Sequence, residues 1–90
     1  MERLPAGTKV LLKTLEAHLT MPGVRLTRYG LQNEKGNTLI ISEHLEYLGK
    51  EFMIRNSNSS FSLDGSMFYE IDPMSNCGFY SLSIEEVLWN

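Results

Sequence analysis

The spacing of apolar and polar residues changes character at one place in the chain. Ser42 offers a side-chain oxygen to the free N–H groups of a first helical turn, and Leu45 and Leu48, three apart, give that turn one apolar face. Gly49 follows the last apolar position, where the left-handed residue that ends a helix costs a glycine least. Beyond it the period drops to two, with Phe52 and Ile54 alternating against Glu51, Met53 and Arg55. This pattern predicts a short helix capped by Ser42, a corner with positive φ at Gly49, and a strand over 50–56.

After that corner the chain reads as strands and tight turns. Residues 57–59 form a polar turn, and residues 60–63 alternate cleanly. Asp64-Gly65 tolerates the positive φ that both central residues of a type I′ turn require, so a tight hairpin is expected between Leu63 and Ser66. The returning strand, 67–72, sets Met67, Tyr69 and Ile71 on one face and Phe68, Glu70 and Asp72 on the other. Residues 73–78 read as the next turn and 79–82 as a further strand. Ser83, with Glu86 three positions later, has the form of a capping box and predicts a closing helical turn through Val87, Leu88 and Trp89.

The N-terminal half is less uniform. Over 8–20, Leu11, Leu12, Leu15 and Leu19 fall within an arc of about 100°, as in one helix capped by Thr8. The alternative, which we favour, is a strand with Val10 and Leu12 on one face, followed by a short helix over 15–19 capped by Thr14. Pro22-Gly23 ends either version. In residues 24–37, Val24, Leu26, Tyr29 and Leu31 make only a broken strand pattern, and 33–37 has turn chemistry. The expectation there is a loop, either functional or a plain insertion. Residues 38–41 are β-branched and apolar and predict a short strand.

Ninety residues with an apolar fraction of 42 % make one domain, 1–90, with one modest core. Apolar runs stop at three residues, such as Leu39-Ile40-Ile41, too short for a membrane span. The first twenty residues have no basic start followed by an apolar signal core, and Cys77 is the only cysteine. A cytoplasmic protein without disulfides is the expectation, and Asn58-Ser59-Ser60 then carries no glycosylation argument. The net charge of −3 divides unevenly: residues 1–55 hold all eight Lys and Arg and balance at +2, whereas 56–90 hold five acids and no Lys or Arg. The second part therefore has no basic stripe for nucleic acid and instead suits a partner protein with a basic surface.

The order of elements resembles the small SH3-like barrels of many short bacteriophage-encoded proteins and of Mib–Herc-type domains. The resemblance rests on Gly7-Thr8-Lys9-Val10, on Leu48-Gly49-Lys50 with Ile54, on Tyr69 with Ile71, and on Tyr80 before the Ser83 turn. It covers roughly two thirds of the chain and omits most of 14–37. One departure is that such proteins often carry a tryptophan in the last strand. Here Tyr80 and Leu82 take that region and Trp89 comes later. The resemblance implies a mainly β fold, a small SH3-like barrel of about five strands with one or two short helices. It also implies a viral origin, with the host cytoplasm as location, and it transfers no catalytic residue.

The residues that could carry chemistry are few. His18 and His44, with Cys77, Asp64 or Asp72, match no metal-ligand spacing, and each histidine is expected on a half-exposed helix. Cys77 has no nearby Lys or Arg to lower its pKa and reads as a structural thiol. Glu70 and Asp72, two apart on one strand face, read as solvated rather than as a working pair. No glycine-rich phosphate loop occurs, so neither an enzyme nor a bound cofactor is expected. The aromatic residues carry more weight. Phe61, Phe68, Tyr69, Phe79, Tyr80 and Trp89 are too many for a small core, and alternation sends Phe68 and Tyr69 to opposite faces. Phe68, Glu70 and Asp72 are the candidate partner-binding residues of a non-catalytic protein. Its expected role is that of a phage accessory protein that binds and inhibits a host protein, for instance a defence component. The alternative is a nucleic-acid- or nucleotide-binding barrel using Arg25, Arg28 and Tyr29, cations beside a stacking ring.

Overall fold

The computed structural model describes residues 3–56, 62–63, 65–71 and 78–89. β1 (Lys9–Leu12) turns Val10 and Leu12 inward. At its end Thr14 accepts a hydrogen bond from the Ala17 amide at 3.1 Å and caps α1 (Leu15–Leu19). Of the two readings of 8–20, strand followed by short helix is the one adopted.

Residues 24–37 are a correction to the expected loop. They hold β2 (Arg25–Thr27) and β3 (Gly30–Gln32), which pair antiparallel and continue onto β4 (Thr38–Ile41). The Thr27 hydroxyl makes the β2–β3 turn, accepting from the Tyr29 amide at 3.1 Å and donating to the Gly30 carbonyl at 3.2 Å. Gly30 sits at φ 123°, and a Cβ there would collide with the Ile40 carbonyl oxygen, so close backbone approach fixes glycine at this position. Strands of three residues are too short for alternation to show, and that is why the pattern looked broken.

A 3-10 helix, Ser42–Tyr47, follows β4 directly. Ser42 is not its side-chain cap: the capping position is Ile41, without a side-chain hydrogen bond, and the Ser42 amide donates to the Tyr29 carbonyl at 3.0 Å. Pairing with the β2–β3 hairpin runs one residue further than the cap pattern suggested. Gly49 has φ 81°, as its place at the helix-to-strand corner requires.

β5 (Glu51–Asn56), β6 (Ser62–Leu63), β7 (Ser66–Ile71), β8 (Gly78–Tyr80) and β9 (Ile84–Trp89) complete the chain. Leu63 pairs with Ser66 and Ser62 with Met67, so the tight hairpin forms with Gly65 at φ 85°. Asp64, the turns at 57–59 and 73–77, and Phe61 lie outside the described residues. The expected closing helical turn after Ser83 is a further correction. A 3-10 turn, Ser81–Ser83, comes first, and Ile84–Trp89 is a strand against β1. Ser83 cannot cap, because its carbonyl accepts from the Lys13 amide at 2.8 Å and its hydroxyl meets His18. Two irregularities in the β1–β9 register shift the inward positions, and they erased the strand period from the sequence.

All strand pairs are antiparallel. One sheet runs β6-β7-β5-β1-β9 with β8 on β7, and the other runs β2-β3-β4. The fold is mainly β. The path β8-β7-β5-β1-β9, with a 3-10 turn just before the last strand, makes a small barrel-like sheet. Residues 14–49 are inserted between its first two strands. One core joins the two sheets: Val10, Leu12, Ile54, Tyr69, Ile71 and Phe79 from the barrel pack with Leu31, Leu39 and Ile40 from the insertion.

Candidate functional site

The barrel sheet has an outer face as well as a core face. Residues directly opposite one another across antiparallel strands point to the same side. Lys9 stands opposite Trp89 of β9 and Met53 of β5, so those two side chains flank Lys9 on the outer face. Trp89 is 51 % exposed and Met53 45 %. Lys9 is held by Glu51 at 3.2 Å. Further along, Arg55 of β5 reaches Glu70 of β7 at 3.1 Å. Phe68 of β7 stands opposite Tyr80 of β8, and the two rings meet edge to face with centroids 5.2 Å apart.

Of the expected partner-binding residues, Phe68 and Glu70 therefore do share the outer face, because Tyr69 and Ile71 are fully buried. Asp72 lies outside the described residues. The face differs from expectation in two respects. Phe68 is half-buried against Tyr80 and is not a free anchor. Glu70 is ion-paired, so cations from residues before 56 reach the acidic second part. Arg3 does the same, with its guanidinium 5.7 Å from the centre of the Tyr69 ring. Trp89 and Met53 are the large exposed groups beside Lys9 on this face, and the sequence pattern does not bring them together. The alternation of 51–56 already set Met53 outward, but the strand character of 84–89 was hidden.

Arg25, Arg28 and Tyr29 sit at the β2–β3 hairpin and are all exposed, Tyr29 to 56 %. Arg28 lies over the Tyr29 ring, 4.9 Å from its centre, and donates to the Tyr29 hydroxyl at 2.7 Å. The ring's stacking capacity is thus partly taken within the hairpin itself.

His18 is also a correction. It is fully buried, not half-exposed. Its Nδ1 lies 2.8 Å from the Thr14 carbonyl and its Nε2 2.8 Å from the Ser83 hydroxyl. A carbonyl can only accept, so Nδ1 carries the proton, and in the neutral ring Nε2 accepts from Ser83. Burial pushes the His18 pKa below its usual value. The Thr14 carbonyl opposes that, the Lys13 charge reinforces it, and Glu85 opposes it. A serine hydroxyl on a histidine is also the pairing that activates a nucleophile. Here both residues have no exposed surface, so the pair is a strut between α1 and the turn before β9. His44, by contrast, is half-buried on its 3-10 helix and tilts against Tyr47 at 5.6 Å. Among the described residues no group of three or more His, Cys, Asp or Glu is placed to hold a metal ion, and no helix is long and apolar enough to cross a membrane.

In comparison with known proteins, the chain matches no family model, no curated protein and no solved structure.

Proposed function

We propose that this chain is a non-catalytic binding protein that engages a partner protein through the outer face of its barrel. The observation that carries this reading is the pair Trp89 and Met53, both about half exposed on either side of Lys9. Tryptophan, and large apolar groups beside charges, are what the centre of a protein interface uses. Phe68 with Tyr80, and Arg55 with Glu70, extend the same face. The more specific form, a phage-encoded accessory protein that inhibits a host protein, is supported by the resemblance to phage small barrels. A second reading is favoured by the hairpin: Arg25, Arg28 and Tyr29 are exposed together at one tip and offer cations and a ring to a nucleotide or single strand.

The test is affinity capture from bacterial lysate, with and without nuclease, using the wild type, a Trp89→Ser/Met53→Ser variant and an Arg25→Glu/Arg28→Glu variant. The proposal expects a protein partner that survives nuclease and is lost only with the outer-face variant. Nucleic acid that co-purifies and is lost only with the arginine variant decides for the second reading.

A further inference from the structure

We infer that the edge of β9 away from β1, unpaired among the described residues, is a docking site for an extended, lysine- or arginine-bearing segment of a partner protein, which adds to the barrel as one more strand. The inference rests on the binding-protein reading and supplies its chemistry. β9 ends the sheet order, and among the described residues it pairs only with β1. It is six residues long, whereas the other strands at sheet ends hold two to four. A free edge presents a row of backbone donors and acceptors, and an incoming extended chain satisfies them.

Three further features select the occupant. A cleft of about 270 Å³ lies beside β9, lined by Leu4, Ser81, Ile84, Glu85, Glu86 and Val87. Alternate side chains of an added strand point the same way, so an aliphatic one enters this cleft while its neighbours stay at the rim. Glu85 and Glu86 are exposed on the strand, and no cation pairs with either among the described residues. A second copy of β9 would bring these carboxylates against their own kind, which disfavours self-pairing. A strand with Lys or Arg beside its aliphatic residues meets them favourably. The glutamates and the register irregularities thus protect the edge against copies of itself and leave it open to a basic segment.

The probe is a short synthetic peptide alternating valine with lysine, followed by amide NMR and hydrogen exchange of the full chain. Two control peptides replace lysine with glutamate, or carry N-methyl groups along one edge. The lysine peptide is expected to shift the amides of 84–89 and Leu4 and to slow exchange at outward amides of β9. The N-methylated peptide should not bind. Glu85→Lys/Glu86→Lys, checked for an unchanged melting profile, should weaken binding by about tenfold or more, because two favourable charge contacts become repulsive. Equal binding of the lysine and glutamate peptides, or no change at β9, overturns the inference. Shifts confined to Trp89 and Met53 without β9 protection also overturn it, yet they leave the outer-face reading standing. That reading fails separately, in the capture experiment, if the Trp89/Met53 variant retains every partner.

Discussion

The barrel and the insertion at 14–49 share a core, but different things hold them in place. The barrel is built on strands of up to six residues, and β5 and β7 turn residues alternately inward and outward, so each contributes to the core and to an outer face. The insertion has strands of three or four residues and, besides the core residues Leu31, Leu39 and Ile40, depends on a few single contacts. Those are the backbone approach at Gly30, the His18–Ser83 strut and the corner at Gly49. Long alternating strands distribute their stability over many cross-strand pairs, whereas an insertion of this kind concentrates it.

The strongest way to break that contrast is Gly30→Ala. The new Cβ meets the Ile40 carbonyl and the φ of 123° disfavours any side chain, so we expect a loss of about 3 kcal/mol in denaturant unfolding. Amide exchange should show β2, β3 and β4 unprotected while β1, β5 and β9 keep their protection. Simultaneous loss everywhere would make the two regions a single cooperative unit.

Next comes the strut. Ser83→Ala leaves His18 Nε2 buried without its donor and should cost about 1–3 kcal/mol. The same contact predicts a pH dependence. Because the folded pKa of His18 lies below the unfolded one, the unfolded chain binds more protons in the window between them. The contribution is complete above the usual histidine pKa of about 6.5 and is lost as pH falls from there toward the folded value. Thermal melts over that range should show stability declining with acid. A flat profile, with His18 ring resonances titrating as in a free histidine, would contradict the buried neutral ring.

Smaller effects sharpen the comparison. Gly49→Ala should destabilise by about 1 kcal/mol, through its φ of 81° and the approach of a Cβ to the Thr14 methyl at 3.3 Å. On the outer face, Glu70→Gln removes an ion pair open to water and should change stability by no more than about 0.5 kcal/mol. Its consequence should instead appear in the association rate with a captured partner, and should fade as salt rises.

The same contrast explains what could be read from the sequence. The corner at Gly49, the hairpin beside Gly65, the Thr14 cap and the opposite faces of Phe68 and Tyr69 were legible. Each depends on a local rule that tertiary structure leaves intact. The β2–β3 hairpin was not legible, although Thr27 followed three residues later by Gly30 was the available signal. The burial of His18 depends on Ser83, which is distant in sequence, and periodicity carries no such information. β9 resembled a helix start because serine and glutamate fit a cap equally well when the strand partner is unknown. For the candidate surface, alternation placed Phe68 and Glu70 outward correctly. The neutralising role of Arg55 and the prominence of Trp89 required the register between strands.

The seam of the insertion has a further consequence. The Gly49 amide donates to the Lys13 carbonyl at 3.2 Å, and the Leu12 amide to the Lys50 carbonyl at 3.0 Å, so the two ends of 14–49 meet within one turn of a ladder. A segment whose ends are already together can carry longer or shorter loops without altering the registers on either side of the junction, and the closure entropy grows only slowly with its length. The ladder, not the length of the chain between its ends, therefore holds the junction of 14–49 closed.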